Sequence, residues 1–226
     1  IPENSELQTI DEYSFCWSKI ESITIPSHLT QICEGCFCFC SKLKTIVIPS
    51  DSNLRTIEKY AFYNSSIESF TIPSKLVELK EGWCKGTYNL TSVSVDPKNP
   101  RYRCDDGQII IGKLTTESEK FDVLVFCARN VKEATIPNTI KVIDSYSFDN
   151  CNELHHLEIS DDSELQTVGG FAFSCTSIEK FTIPPKLSHL KKGWCAWTFK
   201  LNHIDVSPKN PNFRFSNDQV LIGKSS

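Results

Sequence analysis

The 226-residue chain contains no methionine, shows no glycine-rich phosphate loop, and never approaches the ~20 consecutive apolar residues of a membrane span. A phosphate cradle and direct membrane insertion of this stretch are therefore set aside. Its 24 basic residues are outnumbered by 28 acidic ones, and no basic stripe stands out, which argues against a nucleic-acid partner. Signal peptide, initiator methionine and lipidation motif are all missing. Because the chain opens and closes inside a repeat, it is expected to be a fragment of a longer protein, and these gaps say little about targeting. No serine or cysteine sits in a recognisable nucleophile motif and the carboxylates do not pair across repeats, so no enzymatic activity is expected.

What is present is a period. The second half of the sequence superimposes on the first under one constant shift, which carries Ile20 to Val131, Leu43 to Leu154, Ile67 to Ile178 and Leu90 to Leu201. Within each copy the successive starts lie roughly 23 residues apart, and a repeat in the low twenties is the signature of a solenoid made of leucine-rich coils. The middle step, Leu43 to Ile67 or Leu154 to Ile178, is one residue longer than its neighbours, and the step from Leu90 to Val131 is far longer because it holds an insertion. Such a fold grows coil by coil and can bury a core along one elongated domain.

One coil reads LTQICEGCFCFCSKLKTIVIP (Leu29 to Pro49). In LKTIVI the apolar residues Leu43, Ile46 and Ile48 suit a short strand whose alternate side chains point inward. Equivalent strands are expected from Ile20, Ile67, Leu90, Leu154, Ile178 and Leu201, with a weaker one from Val131. Pro26, Pro49, Pro73, Pro137 and Pro184 end strands, where loss of a ladder donor is tolerable. In the outer half of the coils Phe15, Phe37, Phe62, Phe148 and Phe173 should fill the space between the walls.

The segment IPNTIKVIDSYSFDNCNELHHLEI (Ile136 to Ile159) resembles the motif of the BspA-like, or Treponema pallidum-type, leucine-rich repeats, and the resemblance runs over essentially the whole chain. Trp83 with Cys84, and Trp194 with Cys195, depart from it at the alanine-phenylalanine positions. The fold expected is an α/β-type leucine-rich repeat solenoid of about eight coils, with a continuous parallel sheet and irregular or 3-10 outer segments. It is read as a single domain over residues 1–226, with hairpin insertions at 96–130 and 207–226. The resemblance implies a cell-surface or secreted antigen acting in adhesion or in binding host or matrix proteins. An intracellular, cytoplasmic scaffold without catalytic activity is the alternative, and glycans at Asn64 or Asn89 would separate the two.

The insertions carry a pattern of their own. DPKNPRYRCDDGQIIIGK (Asp96 to Lys113) recurs as SPKNPNFRFSNDQVLIGK (Ser207 to Lys224). Asp106-Gly107 signals a tight turn and FDVLVF (Phe121 to Phe126) a third strand, which predicts a hairpin island projecting from the stack. Asp105 and Asp106 lack the twelve-residue loop of a calcium site.

Most of the eleven cysteines fall at coil positions and are read as small buried fillers. Disulfides are the alternative if the protein is secreted. The C-x2-C-x-C-x-C run Cys33, Cys36, Cys38 and Cys40 lacks the separated pairs of a zinc ribbon. No metal or cofactor is expected. The outward strand positions form the candidate partner surface. In the first copy they are small or neutral: Ser22, Thr24, Thr45, Val47, Ser69, Thr71, Ser92 and Ser94. In the second, charge enters: besides Glu133 and Thr135, the residues expected to bind a protein partner are His156, Glu158, Lys180, Thr182, His203 and Asp205. His156 and His203 lie two rungs apart, ~10 Å at ~4.8 Å per rung, with Lys180 between them, too far to share a metal. An aromatic set, Trp17, Phe39, Tyr88, Trp197 and Phe199, either packs between coils or forms a second contact patch.

Overall fold

The computed structural model describes residues 5–115, 117–216 and 220–223. Eight short strands repeat along it: β1 (Ser22–Thr24), β3 (Thr45–Val47), β5 (Ser69–Ile72), β7 (Ser92–Val95), β11 (Glu133–Ile136), β13 (His156–Ile159), β15 (Lys180–Ile183) and β17 (His203–Val206). Alternation fixes their faces, since Ile23, Phe70, Val93, Ala134 and Phe181 are buried while their neighbours look outward. Two-residue strands form a second wall: β2 (Gln31–Ile32), β4 (Thr56–Ile57), β6 (Glu78–Leu79), β12 (Val142–Ile143), β14 (Thr167–Val168) and β16 (His189–Leu190). The insertions add β8 (Tyr102–Asp105), β9 (Ile109–Gly112) and β10 (Val123–Cys127), then β18 (Phe213–Ser216) and β19 (Val220–Gly223).

Between the walls the expected aromatics stack. Phe15, Phe37 and Phe62 lie 5.3 and 5.6 Å apart, and Phe148 and Phe173 4.9 Å. All but the half-exposed Phe15 are fully buried. Leu43 and Leu154 are likewise sealed, whereas Ile48 is only half-buried.

The α/β description is corrected: among the described residues there is neither an α-helix nor a 3-10 helix. The outer segments are runs of turns, and where phenylalanine is the core residue it donates its N–H to the next coil, as in Phe37 to Ala61 O (2.8 Å) and Phe148 to Ala172 O (2.8 Å). The residues two before and two after that aromatic are left-handed, for example Tyr13 and Trp17, Tyr60 and Asn64, Phe171 and Cys175. A left-handed residue four positions from another cannot be wound into a right-handed helix. Gly35 fills one such place, where a Cβ would meet the exposed Tyr13 ring at 2.3 Å and force it aside.

The continuous parallel sheet is corrected too. Its strands ladder only in pairs, β1 with β3, β5 with β7, β11 with β13 and β15 with β17. Every such pair spans one of the shorter coils, as when Ser22 faces Thr45 and Lys180 faces His203. At the longer steps, β3 to β5 and β13 to β15, single backbone bonds remain beside the strands: Glu68 N to Lys44 O (3.1 Å) and Ser177 N to Leu154 O (3.0 Å). These coils carry two extra residues in the turn after the strand, within Ser50 to Asn53 and Asp161 to Glu164, and one fewer before the next strand. A coil of different length does not return in register, so the ladder breaks there.

Nor does the first insertion project as an island. β8, β9 and β10 form antiparallel neighbours that continue into β12, β14 and β16 as one six-stranded sheet. Asp106 and Gly107 are both left-handed within the three-residue connection that lets Asp105 pair with Ile109. Asn99 pins the insertion to the preceding coil. Its amide donates to Pro73 O (2.7 Å) and Leu76 O (2.8 Å), and its oxygen accepts from Arg101 N (2.9 Å) and Tyr102 N (2.8 Å). Asn210 makes the corresponding contacts in the second copy. The Tyr102 hydroxyl oxygen then accepts from Leu79 N (3.1 Å), joining β8 to the edge of β6. Asn217 and Asp218, which break the turn motif in the second copy, lie outside the described residues.

Where the copies meet, Arg129 occupies the place that Ser18 holds in the first copy. It is 3% exposed, stacks on Phe126 (4.5 Å) and donates to Ser147 O (3.2 Å).

Candidate functional site

The break between β13 and β15 opens a cleft of about 510 Å³ on the outward face. It is lined by His155, His156, Leu157, Glu158, Ile159, Glu179, Lys180 and Thr182. Four of the six residues expected from sequence, His156, Glu158, Lys180 and Thr182, therefore share one depression. His203 and Asp205 stand on the next strand and reach it through Lys180, whose Nζ lies 2.6 Å from Asp205 Oδ2 while His203 Nε2 lies 2.8 Å from Oδ1. The Lys180 ammonium, with the His203 ring beside it, holds the Asp205 carboxyl below the usual carboxylate range. On the backbone ladder, Lys180 faces His203 and Thr182 faces Asp205, so the Lys180 side chain reaches diagonally to its carboxylate.

Two lining residues, His155 and Glu179, escaped sequence reasoning. Each immediately precedes its strand, outside the alternating positions used to choose the face. The signal was their place after the strand-opening Leu154 and Ile178. His155 approaches Glu133 at 3.8 Å. Glu158 meets the hydroxyl of Thr135 at 3.4 Å.

The aromatic set stays largely on the surface. Trp17 stacks on Phe39 at 4.2 Å and Trp197 on Phe171 at 6.1 Å, yet both tryptophans keep an exposed face, Trp17 at 71%. Tyr88 and Phe199, which occupy equivalent positions in the two copies, are outward as well, Phe199 at 90% exposure.

Among the described residues, no group of three His, Cys, Asp or Glu is placed to hold a metal ion, and no helix is long and apolar enough to cross a membrane. Cys16 and Cys38 form a disulfide between the first two coils, a pairing left open by the sequence. Cys36, Cys40, Cys84, Cys127 and Cys151 are buried free thiols. Burial pushes the Cys36 and Cys84 thiols up to about 12.

Repeated short strands, an aromatic column and turn-built outer segments define a leucine-rich repeat β-solenoid. The chain belongs to the BspA type leucine-rich repeat family, whose profile matches in six copies over residues 4–102 and 112–217. No curated protein matches it. Among solved structures it is similar to the pneumococcal vaccine antigen PcpA, at 22% identity and TM-score 0.76 over 92% of this chain and 56% of that one. A leucine-rich repeat protein from Eubacterium ventriosum matches at 20% identity and TM-score 0.73 over 92% of this chain and 60% of its own. A leucine rich cell surface protein from Faecalibacterium prausnitzii matches at 18% identity and TM-score 0.63 over 83% and 60%. The chain thus spans at most about 60% of these structures. At such identities the likeness concerns the fold.

Proposed function

We propose that this chain is one repeat domain, with insertions at 96–130 and 207–226, of a cell-surface or secreted protein, and that it binds a protein partner through the outward face of its second half. The observation that carries the reading is the cleft between β13 and β15, where four charged or hydrogen-bonding side chains selected from the sequence line one depression. Family membership, and neighbours described as a cell surface protein and a vaccine antigen, favour an external address. The Cys16–Cys38 disulfide fits an oxidising compartment. Leucine-rich repeats are generally non-catalytic, and adhesion to host or matrix protein is the role that suits this one.

The test is capture of a partner from cell or matrix extract by the folded protein and by a Lys180→Glu/Glu158→Lys variant. The variant should bind less, with the difference shrinking at high salt as screening weakens the charged contacts. Undiminished capture by the folded variant would move the site off this face.

A further inference from the structure

We infer that the cleft between β13 and β15 receives a lysine or arginine side chain of a partner protein, an inference that rests on the binding face proposed above. Charge is left over in the cleft. Lys180 is committed to Asp205 at 2.6 Å, and His203 closes on the other oxygen of that carboxylate. His155 turns toward Glu133. Two carboxylates on opposite walls remain without a cationic partner among the described residues: Glu158, whose contact is a neutral hydroxyl, and Glu179.

The first copy shows what a closed version of the same place looks like. In the repeat alignment Glu179 corresponds to Glu68, His155 to Lys44 and Glu158 to Val47. There Lys44 neutralises Glu68 at 3.0 Å across the equivalent break, and the facing position is apolar. In the second copy the lysine has become a histidine directed elsewhere and the valine a glutamate. The cation that would pair with Glu179 is lost, the lysine gained at position 180 in place of Ser69 is held by Asp205, and a second carboxylate is added, so an external cation completes the arrangement. Half-buried Leu157 and Ile159 line the cleft beneath. They provide an apolar bed for the methylene stem of a lysine or arginine, whose charged head would lie between the carboxylates.

The probe is N-acetyl-arginine amide, followed by amide chemical shifts in the isotope-labelled protein, with the isosteric, uncharged N-acetyl-citrulline amide as control. Arginine should perturb 157–159 and 179–182 together, and citrulline should not. A Glu158→Gln/Glu179→Gln variant keeps shape and fold, and its dissociation constant for the arginine probe should rise roughly five- to tenfold. Equal binding of the two probes, or an unchanged constant in the double variant, overturns the inference. If the arginine probe fails while Lys180→Glu/Glu158→Lys still abolishes partner capture, the face binds by other chemistry and only the cationic occupant is refuted. Failure of both removes the binding face as well.

Discussion

Asn99→Ala should detach the first insertion from the coil that carries it. The side chain is 8% exposed and uses its full capacity: two amide hydrogens on the carbonyls of Pro73 and Leu76, and its oxygen on the backbone N–H groups of Arg101 and Tyr102. Alanine deletes all four bonds and leaves the two N–H donors at the entry to β8 without an acceptor. At a net ~1 kcal/mol per bond, less some rehydration on the half-exposed Arg101 side, the loss comes to about 3 kcal/mol. Asn210→Ala removes equivalent bonds at a half-buried site and should cost about half as much. Solenoids can unfold in parts, so amide hydrogen exchange is the assay. Protection of β8 and β9 should fall by about two orders of magnitude, matching that energy, while β13 and β15 are unaffected. Exchange in the insertion changed by less than a factor of about five, corresponding to ~1 kcal/mol, would refute the pinning role.

Leu154→Asp, which puts an unpaired carboxylate into a sealed core position, should destabilise by several kcal/mol, about 3 or more. Thr71→Asp, outward and bonded only to the Ser94 hydroxyl, should cost under ~1 kcal/mol. Equal losses in denaturant titrations would contradict the assignment of faces. Cys16→Ser should loosen the first two coils by about 3 kcal/mol, the loop-closure value for a bridge of this span, seen as proteolytic nicking confined to that end. Cys36 and Cys84, raised to about 12 from a free value near 9, contribute stability that is complete below pH 9. It should be lost as pH rises toward 12, because the unfolded chain sheds those protons first. Denaturation midpoints flat from pH 8 to 11 in a chain otherwise stable to base would argue against their burial.

The strands and the core aromatics were legible because both follow from local periodicity. Leu43, Phe37 and Phe148 declare themselves by spacing alone, and the structure buries all three. The candidate residues were legible in part. Alternation marked His156, Glu158, Lys180 and Thr182 as outward, but no local rule predicts that β13 and β15 fail to ladder. The longer middle step was visible, yet its effect depends on how successive coils stack. His155 and Glu179 were missed for the same reason, since a residue just before a strand lines a cleft only where the sheet parts.

What the sequence by itself determined is the set of properties that repeat: the duplicated unit, the inward and outward faces of each strand and the aromatic column. Each depends on residues within one coil, where side-chain direction follows backbone period. Tertiary structure alone decided the relations between coils. It made the outer segments, expected to be irregular or 3-10, into turns bracketed by left-handed residues such as Tyr60 and Asn64, stitched β8 to β10 into the second sheet, and paired Cys16 with Cys38. It also set Arg129 where the copies join. Hydrogen bonds between residues a full coil apart are satisfied only after stacking fixes register, and a one-residue difference in coil length, small in the sequence, is enough to open the sheet at one seam and close it at the next.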